Sequence, residues 1–247
     1  DDSQATLQNM LLAQNPAGAI QAQGSHLTVN GSQLLDNTGY GIKLLESSAD
    51  ISTTAISGVV VPAETDDSDG TCIYADESTG VVALDTVQIS FCQRVALYTF
   101  FTDLAVTNCS IEESSNGIVG INGGESFFST VTDNYLSQVS GYGIYVIGQD
   151  SEVSRNTVTT TNAVYGASYG IMVGNDDATL TVEDNVVEGY QLFSMYVQYP
   201  YNDNDGPVGG VATVARNTIR DGALYGLYVQ GLDEVTFTDN TIDGLGW

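Results

Sequence analysis

The sequence predicts an all-β fold, a right-handed parallel β-helix of about 8–9 coils, with residues 1–24 as a cap that includes a short helix and 25–247 as the solenoid. Three observations predict it. A six-residue unit recurs: an apolar residue, two variable residues, a small polar residue that is usually Asn, one variable residue and a second apolar residue. The interval between successive copies never falls below about 22 residues, and the excess sits in Gly-, Asp- and Ser-rich inserts, as expected of a stacked coil that tolerates insertions. Apolar residues alternate with period two in short runs, and helical spacing is absent from about residue 25 onward.

Taken from the N-terminus, residues 6–14 do not fit the repeat and read as an amphipathic helix with Leu7, Met10 and Leu11 on one side, which would cover the first coil. The repeat then runs through 51–56, 84–89 and 106–111, with Thr54, Val87 and Cys109 in the polar slot. Clearer copies follow at 131–136, 153–158, 182–187, 214–219 and 237–242, with Asn134, Asn156, Asn185, Asn217 and Asn240. The successive intervals from Thr54 to Asn240 are 33, 22, 25, 22, 29, 32 and 23 residues. A second element accompanies each unit, a small residue followed by apolar, any, apolar: Gly41-Ile42-Lys43-Leu44, Gly143-Ile144-Tyr145-Val146, Gly170-Ile171-Met172-Val173 and Gly226-Leu227-Tyr228-Val229, with weaker copies starting at Ile73, Val95, Ile118 and Met195. These read as short strands with one face in a core.

A coil cannot bury its apolar residues alone, so neighbours stacked at about 4.8 Å must complete the core. The five Asn residues would then lie above one another at one bend as an internal ladder. Cys109 takes the same slot as a buried thiol acting as a small apolar filler. Cys72 starts one coil and Cys92 lies two residues before the equivalent position of the next, at Arg94, which places the pair within bridging range. The chain ends directly after a full repeat, so its last coil is expected either to continue into further domains of a longer parent or to be covered by another subunit, giving end-to-end self-association.

Five Lys and Arg against thirty-one Asp and Glu give a net charge of −26, which excludes nucleic acid and anionic membrane as partners. No apolar run is long enough for membrane insertion by a helix. The scarcity of Lys points to an extracellular or cell-surface location.

With Gly143-Ile144-Tyr145-Val146 followed by Arg155-Asn156-Thr157-Val158 and its relatives, residues 25–245 resemble the pectin-lyase-like family of right-handed parallel β-helix repeat proteins. That resemblance implies the fold and leaves activity open, because the superfamily holds lyases, hydrolases, epimerases, adhesins and phage spikes. Its lyases imply an Arg or Lys base with calcium-holding acids, and its hydrolases imply clustered Asp with a Gly-His-Gly segment. Neither set is intact here. His26, the sole His, is placed before the coils, which argues against acid–base chemistry through a His. Arg155 and Arg216 occupy the slot before the ladder Asn, where other coils carry Asp133, Asp184 and Asp239, and are expected to bridge coils.

Two surface features remain. The outward residue of the strand element runs Lys43, Tyr74, Ala96, Val119, Tyr145, Met172, Tyr196, Tyr228, a largely uncharged stripe suited to stacking on neutral glycan rings or to contact with another subunit. Tyr40, Tyr142, Tyr169 and Tyr225 form a second file, expected as corner stacking. The inserts gather acids: Asp66, Asp67 and Asp69 before Gly70, and Asp203 and Asp205 before Gly206, resemble calcium loops without the first Asp. The leading expectation is a non-catalytic β-solenoid, structural or adhesive; the acidic loops are candidate calcium sites at one or both positions, with solvated acidic turns as the alternative. A carbohydrate-binding module using the Tyr74, Tyr145, Tyr196 and Tyr228 file, or a carbohydrate-active lyase or hydrolase, stands as the alternative.

Overall fold

In the strand Ser25–Asn30, Leu27 and Val29 are fully buried while Thr28 faces out, and that alternation repeats coil after coil. A computed structural model describes residues 3–62, 66, 68–78, 80–121, 127–161, 168–175, 179–198, 210–222 and 224–244. Its strands form three sheets, A and B of ten strands each and C of nine, and each strand pairs in parallel with its counterpart one coil away. Sheet A runs from Ser3–Gln8 to Glu234–Thr238, sheet B from Leu11–Ala13 to Thr241–Asp243, and sheet C from Ile20–Gln23 to Tyr225–Gln230. One strand from each sheet makes a coil.

The core is a set of vertical files. Val29, Ile51, Leu84, Val106, Val131, Val153, Val182 and Val214 line sheet A, while Leu34, Ile56, Ile89, Ile111, Leu136, Val158, Val187 and Ile219 line sheet B. Each fully buried side chain of this size contributes about 1.5–3 kcal/mol relative to exposure, which is how so thin a cross-section holds together.

The corners explain the Asn slot. At the turn from sheet A to sheet B the chain passes through a left-handed residue, among them Asp133 (φ 61°), Arg155 (φ 57°), Asp184 (φ 57°) and Arg216 (φ 55°). That conformation costs about 1–2 kcal/mol for an L-residue, and the ladder residue that follows offsets it. The Asn156 side-chain carbonyl accepts from both the backbone N–H and the amide of Asn134, at 3.1 and 2.9 Å, and its own amide donates to Val131 O at 2.8 Å. Asn185, Asn217 and Asn240 repeat the pattern. Below them Cys109 N–H donates to Asn134 Oδ1 at 2.9 Å, and Cys109 is buried, as expected of a filler.

The expected capping helix is absent. Ser3–Gln8 and Leu11–Ala13 are strands of sheets A and B, paired in register with Ser25–Asn30 and Gln33–Leu35, and among the described residues there is no α-helix. The period overrides helix propensity: Leu7 and Leu12 stand 22 residues before Val29 and Leu34 and pack on the core, whereas Met10 and Leu11 are exposed. The solenoid therefore gains a first coil, and the described strands make nine full coils and two strands of a tenth. His26 lies inside the stack as a result, between Gln4 and Ser48.

Candidate functional site

The outer face of sheet C collects the aromatic residues. Parallel register puts Lys43, Tyr74, Tyr98, Val119, Tyr145, Met172, Tyr196 and Tyr228 in one file. Tyr98 stands where Ala96 was expected. In the strand Val95–Phe100 the inward residues are Leu97 and Thr99, and Ala96 fills the buried small slot that Gly41, Gly143 and Gly170 occupy elsewhere, so the repeat starts two residues later than its apolar pattern suggests.

Beside that file runs the second one. Tyr142, Tyr169, Phe193 and Tyr225 stack ring on ring at 5.0, 5.4 and 4.8 Å, with interplanar angles of 17°, 21° and 12°. Tyr145, Tyr196 and Tyr228 flank the stack, each within 5.0, 4.9 and 5.7 Å of its neighbour in the second file. Seven rings thus form one continuous patch over four coils. Sequence reading missed Phe193 because it looked for Tyr, although Phe193 precedes Ser194-Met195-Tyr196 at the offset at which Tyr225 precedes Gly226-Leu227-Tyr228. Burial, joined by the neighbouring phenols, pushes the Tyr145, Tyr169 and Tyr196 hydroxyls above their ordinary range, so the patch stays neutral. Met172, 9% exposed, stands between Tyr145 and Tyr196 in the first file, and Val119 separates this patch from a second stacked pair, Tyr74 and Tyr98, at 5.5 Å and 8°.

The lower pair opens onto the charged end of the face. A groove of about 590 Å³ is lined by Tyr74, Tyr98, Asp76, Arg94, Asn116 and neighbours. The Arg94 guanidinium donates to the carbonyl oxygens of Asp66 and Asp69 at 3.2 and 3.4 Å. Lys43 Nζ stands 2.9 Å from Asp66 Oδ2 and lies over the Tyr40 and Tyr74 rings. Partial burial pushes the Asp66 carboxyl up, but hydrogen bonds from Ser68 and Lys43 outweigh it and hold the group at about 2. Asp69 is buried and accepts from the Asp66 N–H at 2.6 Å. Asp66 and Asp69 thus already share a turn with two cationic side chains. Asp67, Asp203 and Asp205 lie outside the described residues. Among the described residues no group of three or more His, Cys, Asp or Glu side chains is arranged to hold a metal ion.

Below the groove Cys72 and Cys92 form a disulfide with Cα atoms 5.7 Å apart. Cys72 pairs with the coil position of Ala96, not of Arg94, and Cys92 reaches it from the corner between sheets B and C. The remaining paired cations are structural: Arg155 grips Asp133 with two bonds of 2.8 and 2.9 Å, and Arg216 grips Asp184 with two of 2.8 Å and also reaches Glu183. On sheet A, away from this face, His26 Nδ1 lies 2.8 Å from Ser48 Oγ and its Nε2 lies 3.2 Å from Asp50 Oδ2. A 22-residue step from His26 lands on Ser48, so the period would have revealed this trio had it been carried back to the first coil.

No curated protein and no solved structure matches the chain. A family model described as the right-handed beta helix region matches residues 1–158 and again 95–246. With parallel coils described from residue 3 to residue 243 and that model spanning nearly all of the sequence, the chain belongs to the right-handed beta helix family.

Proposed function

We propose that this protein is an extracellular or cell-surface β-solenoid of structural or adhesive kind, whose sheet C face makes contacts and performs no catalysis. The seven-ring patch from Tyr142 to Tyr228 carries the reading. On a protein of net charge −26 it is a contiguous neutral, aromatic area, of the sort that marks a contact surface. Its second file spends its ring faces on one another, which leaves edges and hydroxyls outward and suits contact with another surface better than stacking on a single sugar. Lys43, Arg155 and Arg216, any of which a lyase-type base would need unengaged, are each tied to acids.

End-to-end contact, with a second copy or with further domains of a longer parent chain, belongs to the same proposal, and Phe237 and Ile242, beside Leu227 and Val229 on the tenth coil, are the apolar residues such a neighbour would cover. The proposal also keeps calcium as a ligand of the acidic loops. At the first of these the ion would displace Lys43 from Asp66, and melting with excess calcium against chelator tests it.

A second reading, a carbohydrate-binding module, is favoured by the groove at Tyr74 and Tyr98, where ring, amide and guanidinium groups converge. The test joins light scattering with glycan-array screening of the wild type and of a triple variant, Tyr145→Ser, Tyr196→Ser and Tyr228→Ser. Association lost in the variant supports the contact face. Strict monomers that bind glycan through Tyr74 and Tyr98 overturn it in favour of the second reading.

A further inference from the structure

We propose that Ser48, His26 and Asp50 form a nucleophilic triad on the outer face of sheet A that cleaves small carboxylic esters. This goes beyond the contact reading, concerns a different sheet, and stands or falls independently of it. The three side chains come from adjacent coils. Ser48 and Asp50 are two residues apart on the strand Ser48–Ser52 and point the same way, and His26 pairs with Ser48 from the strand below. The ring nitrogens are placed for the two roles. Asp50 Oδ2, 3.2 Å from Nε2, accepts the Nε2–H and leaves Nδ1 as the acceptor for the Ser48 hydroxyl at 2.8 Å. Relative to the familiar serine hydrolases the two ring nitrogens exchange duties, but the connectivity of nucleophile, base and orienting carboxylate is the same.

Gly80 packs beside the nucleophile without a side chain. A Cβ at that position would stand 3.2 Å from Ser48 Cβ and 3.6 Å from Ser48 Oγ, so any larger residue would crowd the hydroxyl. His26 is one-third exposed at its side chain and Ser48 is part-exposed, so the pair lies at the surface of the sheet, on the side from which a substrate would approach.

The reaction balances without a cofactor. Ser48 Oγ attacks the ester carbonyl carbon as its proton passes to His26 Nδ1. The tetrahedral intermediate collapses, the C–O bond to the alcohol breaks, and the leaving oxygen takes the proton from Nδ1. Water then attacks the acyl-Ser48 ester, giving a proton to Nδ1, and collapse releases the acid and returns the proton to Oγ. Asp50 touches no substrate and is a positioning residue.

The experiment treats the whole chain with a fluorophosphonate probe, maps the adduct by peptide mass spectrometry, and follows p-nitrophenyl acetate hydrolysis. One adduct at Ser48 is expected, with hydrolysis reduced at least ten-fold in Ser48→Ala and in His26→Gln. Asp50→Asn should lower kcat with KM unchanged, and Asp50→Glu should restore part of it. All of these side chains face outward, so a far-ultraviolet spectrum unchanged from wild type is expected in each variant. An unmodified Ser48 in the folded wild type, or Ser48→Ala hydrolysing at the wild-type rate, overturns the proposal.

Discussion

Asn185 Oδ1 accepts two hydrogen bonds from Asn156, one from its backbone N–H and one from its side-chain amide, each at 3.0 Å, and Asn185 Nδ2 donates to Val153 O at 2.8 Å. Three polar groups of the coil below therefore depend on one side chain that is fully buried. Replacing it strands all three in an apolar interior, where each unsatisfied group costs about 1–3 kcal/mol. Asn185→Leu is expected to lower stability by about 3 kcal/mol or more in denaturant titrations. Asn240→Leu, on the partly exposed tenth coil, should cost clearly less because water can replace the lost partners. Equal losses at the two positions would contradict the ladder as the source of the effect.

The disulfide acts on a separate part of the stack. Cys72 and Cys92 close a loop with a sequence separation of 20, for which the chain-entropy model gives about 3 kcal/mol. Reduction is expected to lower the denaturation midpoint by a corresponding amount. The loosening should be largest around Gln93, Arg94 and Val95, next to the bridge, as seen by hydrogen exchange. An unchanged midpoint after verified reduction would show that packing alone holds these coils.

Asp66 sets an acid limit. Its carboxyl is held at about 2, below the ordinary value of 3.8, so the unfolded chain binds its proton first as pH falls. The sign follows: the contribution is complete above about pH 4 and is lost as pH drops toward 2. The stability difference between wild type and Asp66→Asn is therefore expected to be constant near neutrality and to vanish across that window. The amount is small, because the Asp66 side chain is 58% exposed and water screens the pairing with Lys43. A difference that persists at pH 2 would show that the substitution acts through packing.

Phe193 joins the two aromatic files, standing 5.4 Å from Tyr169, 4.9 Å from Tyr196 and 4.8 Å from Tyr225. Each ring pair adds about 0.5–1.5 kcal/mol beyond area burial. Phe193→Ala should cost about 2–4 kcal/mol and should also change the near-ultraviolet circular dichroism that coupled Tyr rings produce. If the spectrum is unchanged, the rings on either side are not communicating through Phe193.

How much of this was legible in the sequence follows from what the period alone controls. The coil register, the Asn ladder, the buried Cys109 and the Arg155 and Arg216 bridges all depend on residues one period apart, and the repeat displays that spacing directly. Tyr98 was misplaced because its strand carries Ala96 in a slot that Gly marks elsewhere, so the apolar pattern was ambiguous by two residues. The N-terminal coil was mistaken for a helix because Leu7, Met10 and Leu11 satisfy helical spacing locally. The 22-residue link from Leu7 to Val29, which decides the matter, is non-local. The bonds from Arg94 to the carbonyl oxygens of Asp66 and Asp69 join residues 28 and 25 positions apart, off the 22-residue step, and no periodicity encodes them.

Gly170 tests whether the small slot is a steric requirement of the coil. A Cβ there would lie 2.3 Å from Val187 Cγ1, 2.4 Å from the Ser194 carbonyl oxygen and 3.1 Å from Tyr190 Cδ2. The first neighbour is a side chain that can be trimmed, whereas the second is backbone of the next coil, fixed by the sheet C ladder. Tyr190 is fully buried with its hydroxyl donating to Val139 O at 3.2 Å, so it cannot retreat without losing that bond. Overpacking of this kind costs about 1–3 kcal/mol. Gly170→Ala is expected to lower the midpoint of thermal unfolding, and adding Val187→Ala should fail to restore it because the carbonyl contact persists. Full rescue by Val187→Ala would assign the constraint to the side chain and would remove the backbone approach between coils as the reason this position is glycine.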